Sequence, residues 1–290
     1  MKKKDSRLVG FLCVSAVYIL AIAVGLVTYF SVSGAFWLRL LISDVAATVF
    51  TFIFSLIFRN ASVYDPYWSV QPIVIVLCFV YAAHRITVIN LIMLIAVLFW
   101  GIRLTANWAY TFHGLSYEDW RYRMLREKTG AFYPVINFLG IHMVPTFIVY
   151  LCTLPAVFVV RIGADGNALS YVFIAVSFFA AILQGAADVQ MHRFRKRAEG
   201  GFIREGLWKY SRHPNYLGEI LMWWGIGLSS VATLGGEWYL LAGALANTLL
   251  FLFVSIPMAD KRQARKVGFA EYKRATRMLL PIPKNVKESK

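Results

Sequence analysis

The chain has 290 residues, 59% of them apolar, with 30 Lys and Arg against 15 Asp and Glu for a net charge of +15. Together with a mean hydropathy of +0.60, this excludes an ordinary soluble domain, in which apolar residues make up roughly half. Cys13, Cys78 and Cys152 sit singly in apolar runs and exclude a disulfide framework. Apolar runs of spanning length fall at 8–30, 37–58, 87–108, 135–160, 169–187 and 238–258, and two shorter ones at 70–83 and 215–233. Eight spans with both termini in the cytoplasm leave only Arg39, Arg85, Arg103 and Arg161 off the cytoplasmic side, so 26 of the 30 basic residues obey the positive-inside rule. Seven spans, without 70–83, would set the Lys-rich N-terminus opposite the other basic segments.

The expected fold is therefore an all-α, multi-pass transmembrane bundle of about eight spans. It forms one integral membrane domain, with N-terminal spans over 1–60, a second part over 61–283 and a basic tail over 284–290. The basic residues flank spans on one side, so topology and contact with membrane lipids account for the charge and no nucleic-acid partner is expected. The first run is too long, and lacks a small-residue cleavage site, for a cleavable signal peptide.

Several polar constellations interrupt this apolar background. Tyr64-Asp65-Pro66-Tyr67-Trp68-Ser69 opens the third span. It reads either as a helix start capped by Asp65 within an aromatic belt or as a site for chemistry. Arg103 lies inside a span and requires an acid or a phosphate. The loop Tyr117–Arg123 is dense in charged and aromatic groups, a lid or an interface. Asp188, His192 and Arg195 recur at i, i+4, i+7 beside Arg193, Lys196 and Arg197. Such a stripe suits the phosphates and ribose of a dinucleotide, or anchors a helix end in headgroups.

The densest run is Leu207-Trp-Lys-Tyr-Ser-Arg-His-Pro-Asn-Tyr-Leu-Gly-Glu219. Pro214 suits a first helical turn, and Asn215, Glu219 and Trp223 then share one face. Glu219 falls inside the span, where an acid is costly without a partner or a function. A mixed basic and aromatic tail runs from Asp260-Lys-Arg262 through Glu271-Tyr272 to Pro283. The five histidines form no H-x-x-H, H-x-x-x-H or H-E-x-x-H pair, so no metal is expected. With no phosphate-binding glycine loop either, any nucleotide must be held by side chains in a membrane cavity.

Gly206-Leu-Trp-x-Tyr-Ser-Arg-His-Pro-Asn-Tyr-x-Gly-Glu219, together with Asp188…Arg195, Tyr64-Asp-Pro-x-Trp68, Arg103-x-Thr105 and Tyr272…Pro281, resembles the steroid 5-alpha-reductase-like membrane reductases. The resemblance covers about 60–283 and points to a bacterial branch usually filed as a domain of unknown function. It implies NADPH as cofactor, in a cavity open to the cytosol, and reduction of an activated carbon–carbon double bond in an apolar lipid or steroid-like substrate. On this resemblance Asp188, Arg195, Asn215, Tyr216, Glu219 and Tyr272 fall on cofactor positions. Arg103, Arg212, His213 and Arg262 complete the expected cofactor set.

The steroid enzymes polarise their ketone with a Gln-Glu pair and a tyrosine. Here the comparable stretch is Tyr64-Asp65, and Trp100 stands at the tyrosine position nearest Arg103. Asp65, with Tyr64 and Tyr67, is the expected catalytic group. Burial would hold its carboxyl protonated, to donate to the enone oxygen. Arg-His-Pro-x-Tyr-x-Gly also occurs in isoprenylcysteine and phospholipid methyltransferases, so an S-adenosylmethionine-dependent membrane methyltransferase is the alternative. A transporter or lipid-binding protein is a third reading, disfavoured by the absence of inverted hydropathy repeats.

Overall fold

A computed structural model describes residues 6–197 and 200–282. Lys2–Lys4, Pro283 and the expected tail 284–290 lie outside the described residues. The chain folds as α1 (Arg7–Ser31), α2 (Phe36–Ile57), α3 (Tyr67–Tyr81), α4 (Val88–Thr111), α5 (Trp120–Thr129), α6 (Tyr133–Ile136), α7 (Val144–Ile162), α8 (Ala168–Lys196), α9 (Leu207–Tyr210), α10 (Pro214–Leu234), α11 (Ala242–Leu250), α12 (Ile256–Gln263) and α13 (Phe269–Ala275). Among the described residues there is no β-strand, only an isolated bridge between Ser211 and Arg277. Eight helical stretches are long and apolar enough to cross a membrane, so this is an all-α multi-pass bundle. In hydrocarbon no water pairs with the backbone, which leaves the helix as the available spanning form for such runs.

The span ends differ from those the apolar runs predict. The third stretch starts at Ala61, the fifth is continuous from Trp120 to Ile162, the sixth runs to Lys196 and the eighth to Gln263. Hydropathy marks only the part immersed in lipid, whereas Arg, Lys and Glu are good helix formers and let a helix continue past it. The segment expected as a charged loop, Tyr117–Arg123, is thus helical from Trp120 onward. Asp119 starts α5, its carboxylate accepting from the Arg121 N–H at 2.8 Å.

Local signals set other boundaries. Asn167 and Ser170 form a reciprocal capping box at the start of α8, Pro214 occupies the first turn of α10, and Gly235 closes α10 at φ 83°. An even number of crossings returns the chain to the face on which α1 begins. The ends of α4 and α8, the starts of α5 and α10, and α13 gather at this face, called here the charged face. The core lies where α4, α7, α8 and α10 meet, around the fully buried Met93, Val97, Trp100, Met222, Trp223 and Ile226. α10 packs along the length of α8. A Cβ on Gly218 would lie 2.6 Å from the Ala180 carbonyl oxygen, so this approach depends on glycine.

Candidate active site

Three helices build a polar ladder of two rungs through the core. On the deeper rung Glu219, 2% exposed, accepts three N–H bonds. Trp100 Nε1 and Gln184 Nε2 reach Oε2, and Trp223 Nε1 reaches Oε1, each at 2.8 Å. Only donors face this side chain, so it serves as an acceptor. One turn nearer the charged face, Arg103 Nη1 meets Asp188 Oδ2 at 2.9 Å and Asn215 Nδ2 donates to Asp188 Oδ1 at 3.4 Å. Trp100 and Arg103 are one turn apart on α4, Gln184 and Asp188 on α8, Asn215 and Glu219 on α10. Helical spacing of three or four therefore aligns all six on facing stripes.

The ladder has unused hydrogen-bonding capacity. Arg103 Nε and Nη2 and Gln184 Oε1 are buried without a partner among the described residues. Beside the upper rung lies a cavity of about 450 Å³ lined by Arg103, Asn107, Tyr110, Asp188, His192 and Lys196. His192 Nε2 pairs with Asn107 Oδ1 at 2.6 Å, and Lys196 sits over the Tyr110 ring. Arg195 is exposed on α8, within electrostatic reach of His192 and Tyr216. Tyr216 stacks on His213 at 5.2 Å and packs against Phe251.

Tyr64, Asp65 and Tyr67 are neighbours in sequence, but their polar atoms part company. Tyr64 Oη pairs with Thr146 Oγ1 at 2.7 Å, and Tyr67 Oη donates to Asp44 Oδ1 at 3.1 Å. Asp65 instead accepts from Tyr122 Oη at 2.5 Å and lies 3.9 Å from Arg121. Pro66 stands at the N-cap of α3, with no side-chain cap bond. Asp65 thus faces α5, and its side chain does not cap α3. The motif still reaches the ladder, because Trp68 packs edge-on against Trp100 at 6.0 Å.

Arg212 and His213, expected with the cofactor set, are buried around Asp260. Arg212 Nη2 reaches Asp260 Oδ2 at 3.2 Å and His213 Nε2 reaches Oδ1 at 3.0 Å. Arg212 Nη1 also donates to the Thr276 carbonyl at 2.6 Å. Tyr272 donates to the Trp208 carbonyl and packs on Phe202 and Phe269. Burial holds its phenol above the usual range despite Arg212 nearby. These contacts tie α13 to the motif preceding α10. Arg262 lies 4.2 Å from the Trp120 ring centroid, joining α12 to α5. Beside it, Asp119 is pushed up by burial but pulled further down by the guanidinium groups of Arg121 and Arg262, ending below the ordinary carboxylate range.

Sequence reading missed Gln184, Tyr122, Asp44 and Gln71. Gln184 lies four residues before Asp188, a spacing that signals a shared face. Tyr122 sits in the charged segment expected to be a loop. Asp44 is an acid inside an apolar run, and Gln71 carries no signal of its own.

A family model described as Protein of unknown function (DUF1295) matches residues 51–276, a span that holds every rung of the ladder. The chain belongs to that family. An uncharacterized protein of Schizosaccharomyces pombe is 24% identical over 193 residues, covering 57% of this chain and 56% of its own. The chain therefore spans about half the length of the curated relative it matches. No solved structure matches it.

Proposed function

We propose that this member of the family is a membrane-embedded, NADPH-dependent reductase of an activated carbon–carbon double bond in an apolar lipid or steroid-like substrate. The observation that carries the reading is the two-rung ladder, with its unpaired donors and acceptor, beside a cavity at the charged face. A dinucleotide needs cations for its phosphates and both donors and acceptors for its ribose and carboxamide. The free edge of Arg103, with Arg193 and Lys196 in the cavity lining, suits phosphate, and Arg195 is exposed on the same end of α8. Asp188 and Asn215 suit a ribose hydroxyl. Gln184 Oε1, held in place by the hydrogen bond that its Nε2 donates to Glu219, suits the carboxamide NH₂. The residues present therefore fit the cofactor. The resemblance of the Gly206–Glu219 motif to the steroid 5-alpha-reductase-like enzymes supports the same reading.

When bound, NADPH supplies a hydride. The rest falls to the chain. Hydride arrival at the β-carbon of an enone leaves negative charge on the carbonyl oxygen, which needs a hydrogen-bond donor there. Asp65 supplies the proton at that oxygen while Tyr122 Oη stays bonded to its other oxygen. The enol then returns to the ketone as the α-carbon takes up a proton and the oxygen gives its own back to the Asp65 carboxylate, so one hydride and one proton are added in all. The apolar walls around Trp68 and Trp100 exclude water.

The test is isothermal titration of the purified protein with NADPH, NADH and S-adenosylmethionine. NADPH should bind, and Asn215→Ala and Arg195→Ala should each weaken it by about 1–3 kcal/mol, while Arg204→Ala, exposed and outside the cavity lining, changes little. Micromolar S-adenosylmethionine binding with no dinucleotide binding would overturn the reading in favour of a methyltransferase.

A further inference from the structure

We propose that the cleft between α1, α2 and α3 binds a lipid alcohol, a slender apolar molecule whose one hydroxyl donates to Gln71. The site goes beyond the reductase reading and stands apart from the ladder. Gln71 and Asp44 face the cleft, whereas Trp68 on the same helix turns to Trp100.

The cleft has a volume of about 200 Å³, and its walls are almost wholly apolar, from Ala21 and Tyr29 to Ile75 and Phe79. At its rim Leu26, Phe30 and Cys78 are exposed, so it opens sideways at membrane depth, where the surroundings offer lipid. From Gln71 to Ala82, just past the end of α3, this wall advances by eleven rises, roughly 16 Å along the helix. That length calls for an extended occupant.

The floor decides the chemistry. Asp44 lies eight residues, about 12 Å, into α2 from the face opposite the charged one. Its carboxylate accepts from Tyr67 Oη on Oδ1 and from Gln71 Nε2 on Oδ2. The Gln71 amide nitrogen turns inward to Asp44, so Gln71 Oε1 points away from it. Gln71 is 6% exposed, and this oxygen is buried without a partner among the described residues. Hydrocarbon cannot satisfy it. A ligand that donates a hydrogen bond can, which selects an alcohol over a ketone, an ester or an alkane. Phosphate headgroups are excluded, because no Lys or Arg lines the cleft.

The test uses the purified full chain and a hexadecanol bearing a diazirine along its chain. Photolabelled peptides are mapped by mass spectrometry, with hexadecanol, hexadecyl methyl ether and hexadecylamine as competitors. Labels should fall on α1–α3, with hexadecanol competing at least ten-fold better than the ether. Gln71→Met should abolish that preference. Cys78→Trp fills the rim but leaves the floor untouched, so it should cut labelling several-fold with NADPH affinity unchanged. Labels spread over other helices, or equal competition by alcohol and ether, would overturn the site. An amine competing better than the alcohol would overturn the hydroxyl assignment. Loss of NADPH binding in the unmodified protein would bear on the reductase reading alone.

Discussion

Glu219 holds three N–H donors inside the bundle, and each buried donor left unpaired costs about 1–3 kcal/mol. Glu219→Ala is expected to lower the melting temperature of the solubilised protein far more than Arg193→Ala at the exposed end of α8. Asp65 calls for a kinetic test. Its side chain does not cap α3 and an amide oxygen still accepts from Tyr122, so Asp65→Asn should leave fold and NADPH affinity intact yet slow single-turnover oxidation of bound NADPH by an α,β-unsaturated lipid ketone, because an amide has no transferable proton. An unchanged rate would move the search to Tyr122 and Tyr64. Asp119 gives a pH test. Its folded pKa is depressed, so its stabilisation is complete above the unfolded value near 4 and is lost as pH falls through the folded one. Asp119→Asn keeps the helix cap. The melting-temperature gap between native protein and this variant should be constant above about pH 5 and close towards pH 3, representing less than about 1 kcal/mol.

At the scale of elements, the ladder exists because α8 and α10 touch backbone to backbone. A Cβ on Gly218 would meet the Ala180 oxygen at 2.6 Å and the Gln184 backbone nitrogen at 2.9 Å. Neither atom can rotate away, so Gly218→Ala must part the two helices. The expected cost is about 1–3 kcal/mol, the usual price of overpacking, together with weaker cofactor binding as Gln184 and Glu219 separate. Gly140 is the control. Its nearest neighbour would be Ile136 Cγ2 at 3.9 Å, so Gly140→Ala should be neutral or stabilise by about 0.5–1 kcal/mol. Thermal melts of both variants decide the matter. A Gly218→Ala protein as stable as the parent would mean that helix contact does not hold the ladder.

Over the whole molecule, the eight crossings place the ladder's open end, α5 and α13 at the face where α1 begins. The distribution of basic residues predicts that this face is cytoplasmic. In a background without native cysteines, a membrane-impermeant maleimide applied from outside should modify Asp165→Cys, between α7 and α8, and spare Arg204→Cys, between α8 and α9. The Asp165–Arg85 pair that the first variant breaks is an exposed surface contact, 64% and 68% open on its two side chains, so little stability is at stake. Labelling in the reverse pattern would put the cofactor entrance outside the cell.

The sequence alone determined the class and number of spans, since any run of about twenty apolar residues must bury its backbone polar groups in a helix. It also marked Arg103, Asp188, Asn215 and Glu219, as charged or polar groups with no cheap place in hydrocarbon. It did not tell these from Arg212 and His213, which stand in the same motif but turn to Asp260 and fasten α13. Periodicity says which residues share a face and is silent about the face opposite. Trp100 lies 119 residues from Glu219 and Asp44 lies 27 from Gln71, so neither pairing leaves a local trace. Only tertiary packing decided them. Close contact at Gly218 seats α10 on α8, and the separation of α3 from the paired α1 and α2 leaves a cleft over an unpaired amide oxygen.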